Sequence, residues 1–206
     1  MATNTVQCTE RLQGVNHKVR SPLQMRIAPV DLCSYVRLFL LNNHCGDGYM
    51  TLLDILSPES TTVDLKGETK EEIIAELVDS LAVGDAISDR DKVLQAVLER
   101  EKIMSTGIGD GIAIPHGKSD SVVKLVAALG TQRRGVDFEA LDGEPAYVFF
   151  LLVSPANVSG PHIKALARIS RLLKNDEFKK KLISASSSAE IIAAIKSEEE
   201  NHPSSS

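Results

Sequence analysis

Ala146-Tyr-Val-Phe-Phe-Leu-Leu-Val153 is the stretch that decides the fold. A strand with one wet face alternates apolar and polar residues. A run with Val148, Phe149, Phe150, Leu151 and Leu152 in succession suits a strand covered on both faces. Leu125–Gly130, just upstream, is a second apolar run bounded by turn residues. Downstream, Ser159-Gly-Pro161 opens a helix with proline at the tolerated first position. Ile163, Leu166, Ala167 and Leu173 are expected to face inward from it. Asp176–Ile183 and Ala189–Ile195 read as closing helices, and Lys196–Ser206, charged and then serine-rich, is expected to fray. Further upstream, Thr61–Leu65 reads as a short strand. Thr69-Lys-Glu-Glu72 is a capping box. The helix it opens places Ile73, Ile74, Leu77, Val78 and Leu81 on one face and stops at Gly84. Ser88-Asp-Arg-Asp91 starts another helix, with Val93, Leu94, Val97 and Leu98 as its apolar face. Ile112–Ile114 reads as a short buried strand. Helices alternating with buried strands predict a three-layer α/β domain, and no internal repeat is visible.

The character of the chain changes near Met50. Residues 1–49 carry a net charge of about +2 and residues 50–206 about −7, within a total of −5. The first segment lacks periodicity and capping signals, so it reads as an extension of low order, with a short helix around Leu32–Leu41. Met50 is a candidate natural start, which mass spectrometry of the native protein tests. Residues 50–200 form the expected domain and residues 201–206 a flexible tail. The three cysteines, Cys8, Cys33 and Cys45, show no CxxC pair and read as free thiols of a reducing cytoplasm. No basic n-region precedes an apolar core, and Ile27–Leu41 is too short and too charged to span a membrane. An acidic chain with 4% aromatic residues lacks both the basic footprint and the stacking platforms of a nucleic-acid binder.

The chemistry concentrates in Ser105-Thr-Gly-Ile-Gly-Asp-Gly-Ile-Ala-Ile-Pro-His-Gly-Lys118. Its four glycines within eleven residues would let backbone N–H groups surround an anion. Two nucleotide motifs fail on spacing. A P-loop ending at Gly117-Lys118-Ser119 would need glycine at Ile112, and a dinucleotide fingerprint from Gly107-Ile-Gly109 would need it at the same position. That leaves His116, just past a short apolar strand, as the reactive group. A neutral imidazole is a nucleophile near pH 7, able to accept a phosphoryl group and pass it on. Such a site needs cations or N–H groups around the phosphoryl oxygens. Arg100 continues the face of Val93 and Val97. Its guanidinium either turns inward toward an anion or covers apolar surface while its head reaches water. His162, in a first helical turn, either faces the positive end of the helix dipole or is simply exposed. His116 itself either reacts or makes a structural hydrogen bond. His17, His44 and His202 have no assigned role.

Residues 50–200 resemble the type-2 IIA domain of the phosphoenolpyruvate-dependent phosphotransferase system, in its fructose–mannitol and nitrogen-regulatory branch. Leu98-Glu-Arg-Glu-Lys and the stretch from Ser105 to Lys118 carry the resemblance. It implies a mixed parallel and antiparallel sheet between helical layers. It implies that His116 is the phosphorylated histidine, with His162 (in Gly-Pro-His-Ile-Lys) and Arg100 completing the active site. Thr106 and Gly117 are implied as groups that bind the phosphoryl oxygens. The implied donor is the phosphocarrier HPr, and the implied acceptor is a IIB component or a regulatory protein. The implied protein is cytoplasmic, needs no cofactor, metal or nucleotide, inserts in no membrane and binds no nucleic acid. Two other readings compete with this one. A metal hydrolase built on His116, His162 and Asp110 lacks HxxxH or HExxH spacing. A binding module in which His116 is never phosphorylated would have little use for Arg100, His116 and His162 together.

Overall fold

The computed structural model describes residues 50–201. The expected extension of residues 1–49, its helix at Leu32–Leu41, the three cysteines and the last five residues lie outside the described residues. A 3₁₀ turn, Leu52–Asp54, leads into strand β1 (Leu56–Thr62). Helices α1 (Lys70–Val83) and α2 (Arg90–Ile103) follow, then β2 (Gly107–Gly109), β3 (Ile112–Ala113), β4 (His116–Lys118), β5 (Val126–Val136) and β6 (Ala146–Ser154). Helices α3 (Gly160–Leu172), α4 (Asp176–Ser184) and α5 (Ser188–Asn201) close the described chain.

The strand order is β1-β5-β6-β3-β2, with β4 also pairing β6. β6 is therefore central, as its unbroken apolar run predicts. It runs antiparallel to β5 and parallel to both β3 and β4. Alternate residues of β6 enter different cores. Val148, Phe150 and Leu152 pack with α3, α4 and α5, whereas Phe149, Leu151 and Val153 pack with α1 and α2. The mixed sheet between two helical layers is the architecture expected.

The capping box forms as predicted: the Glu72 N–H donates to Thr69 Oγ1 at 3.3 Å and the Thr69 N–H to Glu72 Oε2 at 3.2 Å. Three expectations need correction. The first strand lies at Leu56–Thr62, upstream of the expected Thr61–Leu65. Pro58 and a polar composition disguise it, and both are tolerated because β1 is an edge strand whose register with β5 slips between Leu56 and Thr61. Ile112–Ile114 shortens to a two-residue β3, interrupted before Pro115, and the same line beside β6 resumes as β4. Residues 196–201 continue α5. The Glu199 carboxylate accepts from Arg168 Nε at 2.8 Å and from the Leu52 N–H at 2.8 Å, while Glu198 accepts from Asn175 Nδ2 at 2.8 Å. Glu198 and Glu199, near the end of α5, are thus buried and tied to Asn175, to α3 and to the start of the described chain.

Candidate functional site

His116 lies on strand β4 rather than in a loop beyond a strand, opposite Leu152 of β6. Only 6% of its surface is exposed. Its Nδ1 sits 2.9 Å from the Ile114 carbonyl oxygen. A carbonyl only accepts, so Nδ1 carries the proton and Nε2 keeps its lone pair. Burial drives the imidazole pKa down from 6.5 to about 4; the charge of Arg100 and the neighbouring His162 push the same way, against the Ile114 contact, which favours the protonated ring. At neutral pH His116 is an uncharged imidazole with a fixed tautomer and a free Nε2.

His162 stands in the first turn of α3, after Pro161. Its ring centroid is 5.6 Å from that of His116, with the planes tilted by 56°. Burial also takes its pKa to about 4, helped by the charges of Lys118 and Arg100. Its Nδ1 is buried and has no hydrogen-bond partner, an expensive arrangement unless a ligand completes it.

Arg100 comes from the other helical layer. Val93 and Val97 bury one face of α2 against the sheet. Gly117 permits that approach: a Cβ there would lie 3.0 Å from Val97 Cγ2 and 3.2 Å from Val97 N. Arg100 follows one turn later, half-buried, and its Nη1 donates to the Met104 carbonyl at 3.0 Å. The apolar face is continued by Glu101, four residues after Val97, which is 4% exposed. Arg100 therefore occupies the shoulder of that face rather than its centre.

Thr106 and Gly117, which the resemblance implies as phosphoryl-binding groups, make contacts within the protein. The Thr106 N–H donates to Glu101 Oε1 at 3.0 Å and its hydroxyl to Glu101 Oε2 at 2.6 Å. Lys70 Nζ lies 3.7 Å from Glu101 and 2.9 Å from Glu139. Thr106 thus fixes the residue next to Arg100, and Gly117 fixes the distance between β4 and α2. The other glycines of the stretch serve a turn and a close contact. Asp110 and Gly111, with φ of 54° and 75°, make the tight turn between antiparallel β2 and β3, and Gly107 packs against Ala140.

Two residues received no role from sequence. Glu101 was legible as the third position of the i, i+4, i+8 series Val93, Val97, Glu101. Lys118, whose Nζ donates to Ser159 Oγ at 2.8 Å, becomes visible only once His116 is placed in a strand, where residues two apart share a face. Among the described residues no three His, Cys, Asp or Glu side chains converge to hold a metal ion. Asp110, weighed as a metal ligand, is an exposed turn residue. No helix among the described residues is long and apolar enough to cross a membrane.

On this three-layer α/β domain an uncharged buried imidazole, a second histidine beside it and an arginine that acts electrostatically on both rings are brought together. Residues 54–198 match the family described as phosphoenolpyruvate-dependent sugar phosphotransferase system, EIIA 2, and the chain belongs to that family. It is 38% identical over 146 residues to the PTS system fructose-specific EIIABC component of Bacillus subtilis, covering 71% of this chain and 23% of that protein. It is 37% identical to the nitrogen regulatory protein of Bradyrhizobium diazoefficiens, covering 71% of this chain and 94% of that protein. The crystal structure of nitrogen regulatory protein IIA-Ntr from Neisseria meningitidis superposes with a TM-score of 0.64 at 29% identity, covering 69% of this chain and 97% of that one.

Proposed function

We propose that this chain is a cytoplasmic phosphocarrier that accepts a phosphoryl group from phospho-HPr on His116 and passes it to a IIB domain of a fructose- or mannitol-type uptake system. The observation that carries this reading is the 2.9 Å contact between His116 Nδ1 and the Ile114 carbonyl oxygen, which selects the tautomer. With Nδ1–H held by the Ile114 carbonyl, Nε2 faces incoming phosphorus with its lone pair available. In the transfer, Nε2 forms the new N–P bond as the N–P bond of the donor's phosphohistidine breaks, and that electron pair returns to the donor imidazole. The Nδ1 proton stays where it is throughout. Arg100 and His162 hold the phosphoryl oxygens as charge spreads over them. Thr106 and Gly117 act one step back, by fixing where Arg100 stands relative to His116.

A second reading has an observation of its own. The relative from Bradyrhizobium is matched over 94% of its length and is named a nitrogen regulatory protein. In that reading the phosphorylation state of His116 controls binding to regulatory partners, and no sugar is the final acceptor. Labelled phosphoenolpyruvate, enzyme I and HPr test what both share: acid-labile label on wild type and none on His116→Ala. Label retained by His116→Ala would refute the assignment. Onward transfer to a purified IIB domain then separates transport from regulation.

A further inference from the structure

Strand β4 carries a second polar group on the face of His116. Residues two apart in a strand point the same way, so Lys118 shares the side on which Leu152, paired with His116, meets the α3 layer. The Lys118 ammonium reaches to Ser159 Oγ, 2.8 Å away. Ser159 is the N-cap of the thirteen-residue helix α3, and its side chain makes no capping bond. The first turn of that helix contains His162, whose buried Nδ1 has no partner. Ser154, directly opposite Lys118 in the sheet, is fully buried, and its hydroxyl is likewise unpartnered. Lys118 and Arg100 both act on this place electrostatically, each disfavouring protonation of His162. Among the described residues neither of them lies within ion-pair distance of a carboxylate.

Two cations without counter-ions, a helix N-terminus and two buried polar atoms without partners share one complement, a multiply charged anion with several oxygens. The two cations differ in kind. Arg100 belongs to the α2 layer and is held by the Met104 carbonyl. Lys118 reaches toward the α3 layer on a flexible stem, as a point charge that can change partners. We propose that Lys118 is the second cation of the phosphoryl site, resting on Ser159 while His116 is free and moving to a phosphoryl oxygen when His116 carries the group. This rests on His116 being the phosphoryl acceptor and adds the residue that holds the group from the α3 side.

The test uses the full chain with labelled phosphoenolpyruvate, enzyme I and the phosphocarrier, and compares wild type with Lys118→Gln and Lys118→Arg. Lys118 is exposed, so both variants should fold, and circular dichroism checks this. The expected result is that Lys118→Gln still takes label on His116 but does so about tenfold more slowly. Its equilibrium with the carrier should also shift severalfold toward the unphosphorylated form. Lys118→Arg should recover most of both, which a merely structural role would not produce. A Lys118→Gln variant with the wild-type rate and equilibrium would overturn the proposal, as would an arginine variant no better than glutamine. The parent reading fails separately: an unlabelled wild type would remove the acceptor role of His116 and this proposal with it.

Discussion

At the scale of the residue, the proposed role of His116 combines two opposed demands. A nucleophile must be reachable, yet burial is what keeps this imidazole uncharged, with a pKa near 4. The single contact of Nδ1 with the Ile114 carbonyl resolves the conflict by choosing which nitrogen is consumed structurally and which stays reactive. Protonation would remove the Nε2 lone pair. The rate of phosphotransfer to His116 is therefore expected to stay level from pH 8 down to about pH 5 and to fall only as the pH approaches 4. A pH–rate profile checks this, and an inflection near 6.5 would contradict the buried, neutral state. In the proposed transfer Arg100 supplies charge to the phosphoryl oxygens, so Arg100→Ala should slow transfer by about a hundredfold, the order of losing one oxyanion-hole donor. Single-turnover kinetics measure it, and full-rate transfer by the variant would refute the role.

At the scale of the element, the site depends on how closely α2 and β4 approach. Gly117→Ala places a methyl against Val97 backbone and side chain. It should cost about 1–3 kcal/mol in stability and slow transfer by moving Arg100 away from His116, which urea melts and transfer rates read independently. The opposite layer is anchored by the Arg168–Glu199 pair, with both side chains under 10% exposed. Glu199→Ala should lower stability by about 3 kcal/mol, and a change below about 1 kcal/mol would show that the end of α5 is not an anchor. The anchoring was not legible in sequence, because a helix end rich in glutamate reads as solvated until a buried arginine from a distant helix is seen to meet it. β1 was misplaced for a related reason: an edge strand needs little apolar patterning, so Pro58 and the surrounding serines hid it. The capping box of α1, the apolar face of that helix and the central position of β6 were legible because each depends only on local spacing. Arg100, His116 and His162 were singled out by residue type and position, and the structure brings His116 and His162 together. Glu101 could have been found from the helical spacing it shares with Val93 and Val97, whereas the placing of Gly117 and Lys118 needed the pairing of β4 with β6, which no local pattern reveals.

At the scale of the whole molecule, the two depressed histidines make stability depend on pH. Each is neutral in the folded state down to about pH 4, whereas an unfolded histidine binds a proton near 6.5. The unfolded state thus holds more protons between these values. Stability is fully present above about pH 6.5 and falls as the pH drops toward 4, with unfolding taking up about two protons near pH 5. Denaturant titrations at several pH values check the slope, and replacing His162 with glutamine should remove about half of it. A stability independent of pH between 7 and 5 would contradict the burial of both rings. The functional claim meets its most direct test in the phosphorylated protein itself. Nitrogen-15 and phosphorus-31 NMR of the chain after transfer from phospho-HPr should show one N–P bond, at Nε2 of His116, with Nδ1 still protonated. Attachment at Nδ1, at another histidine, or no N–P bond at all would contradict the account.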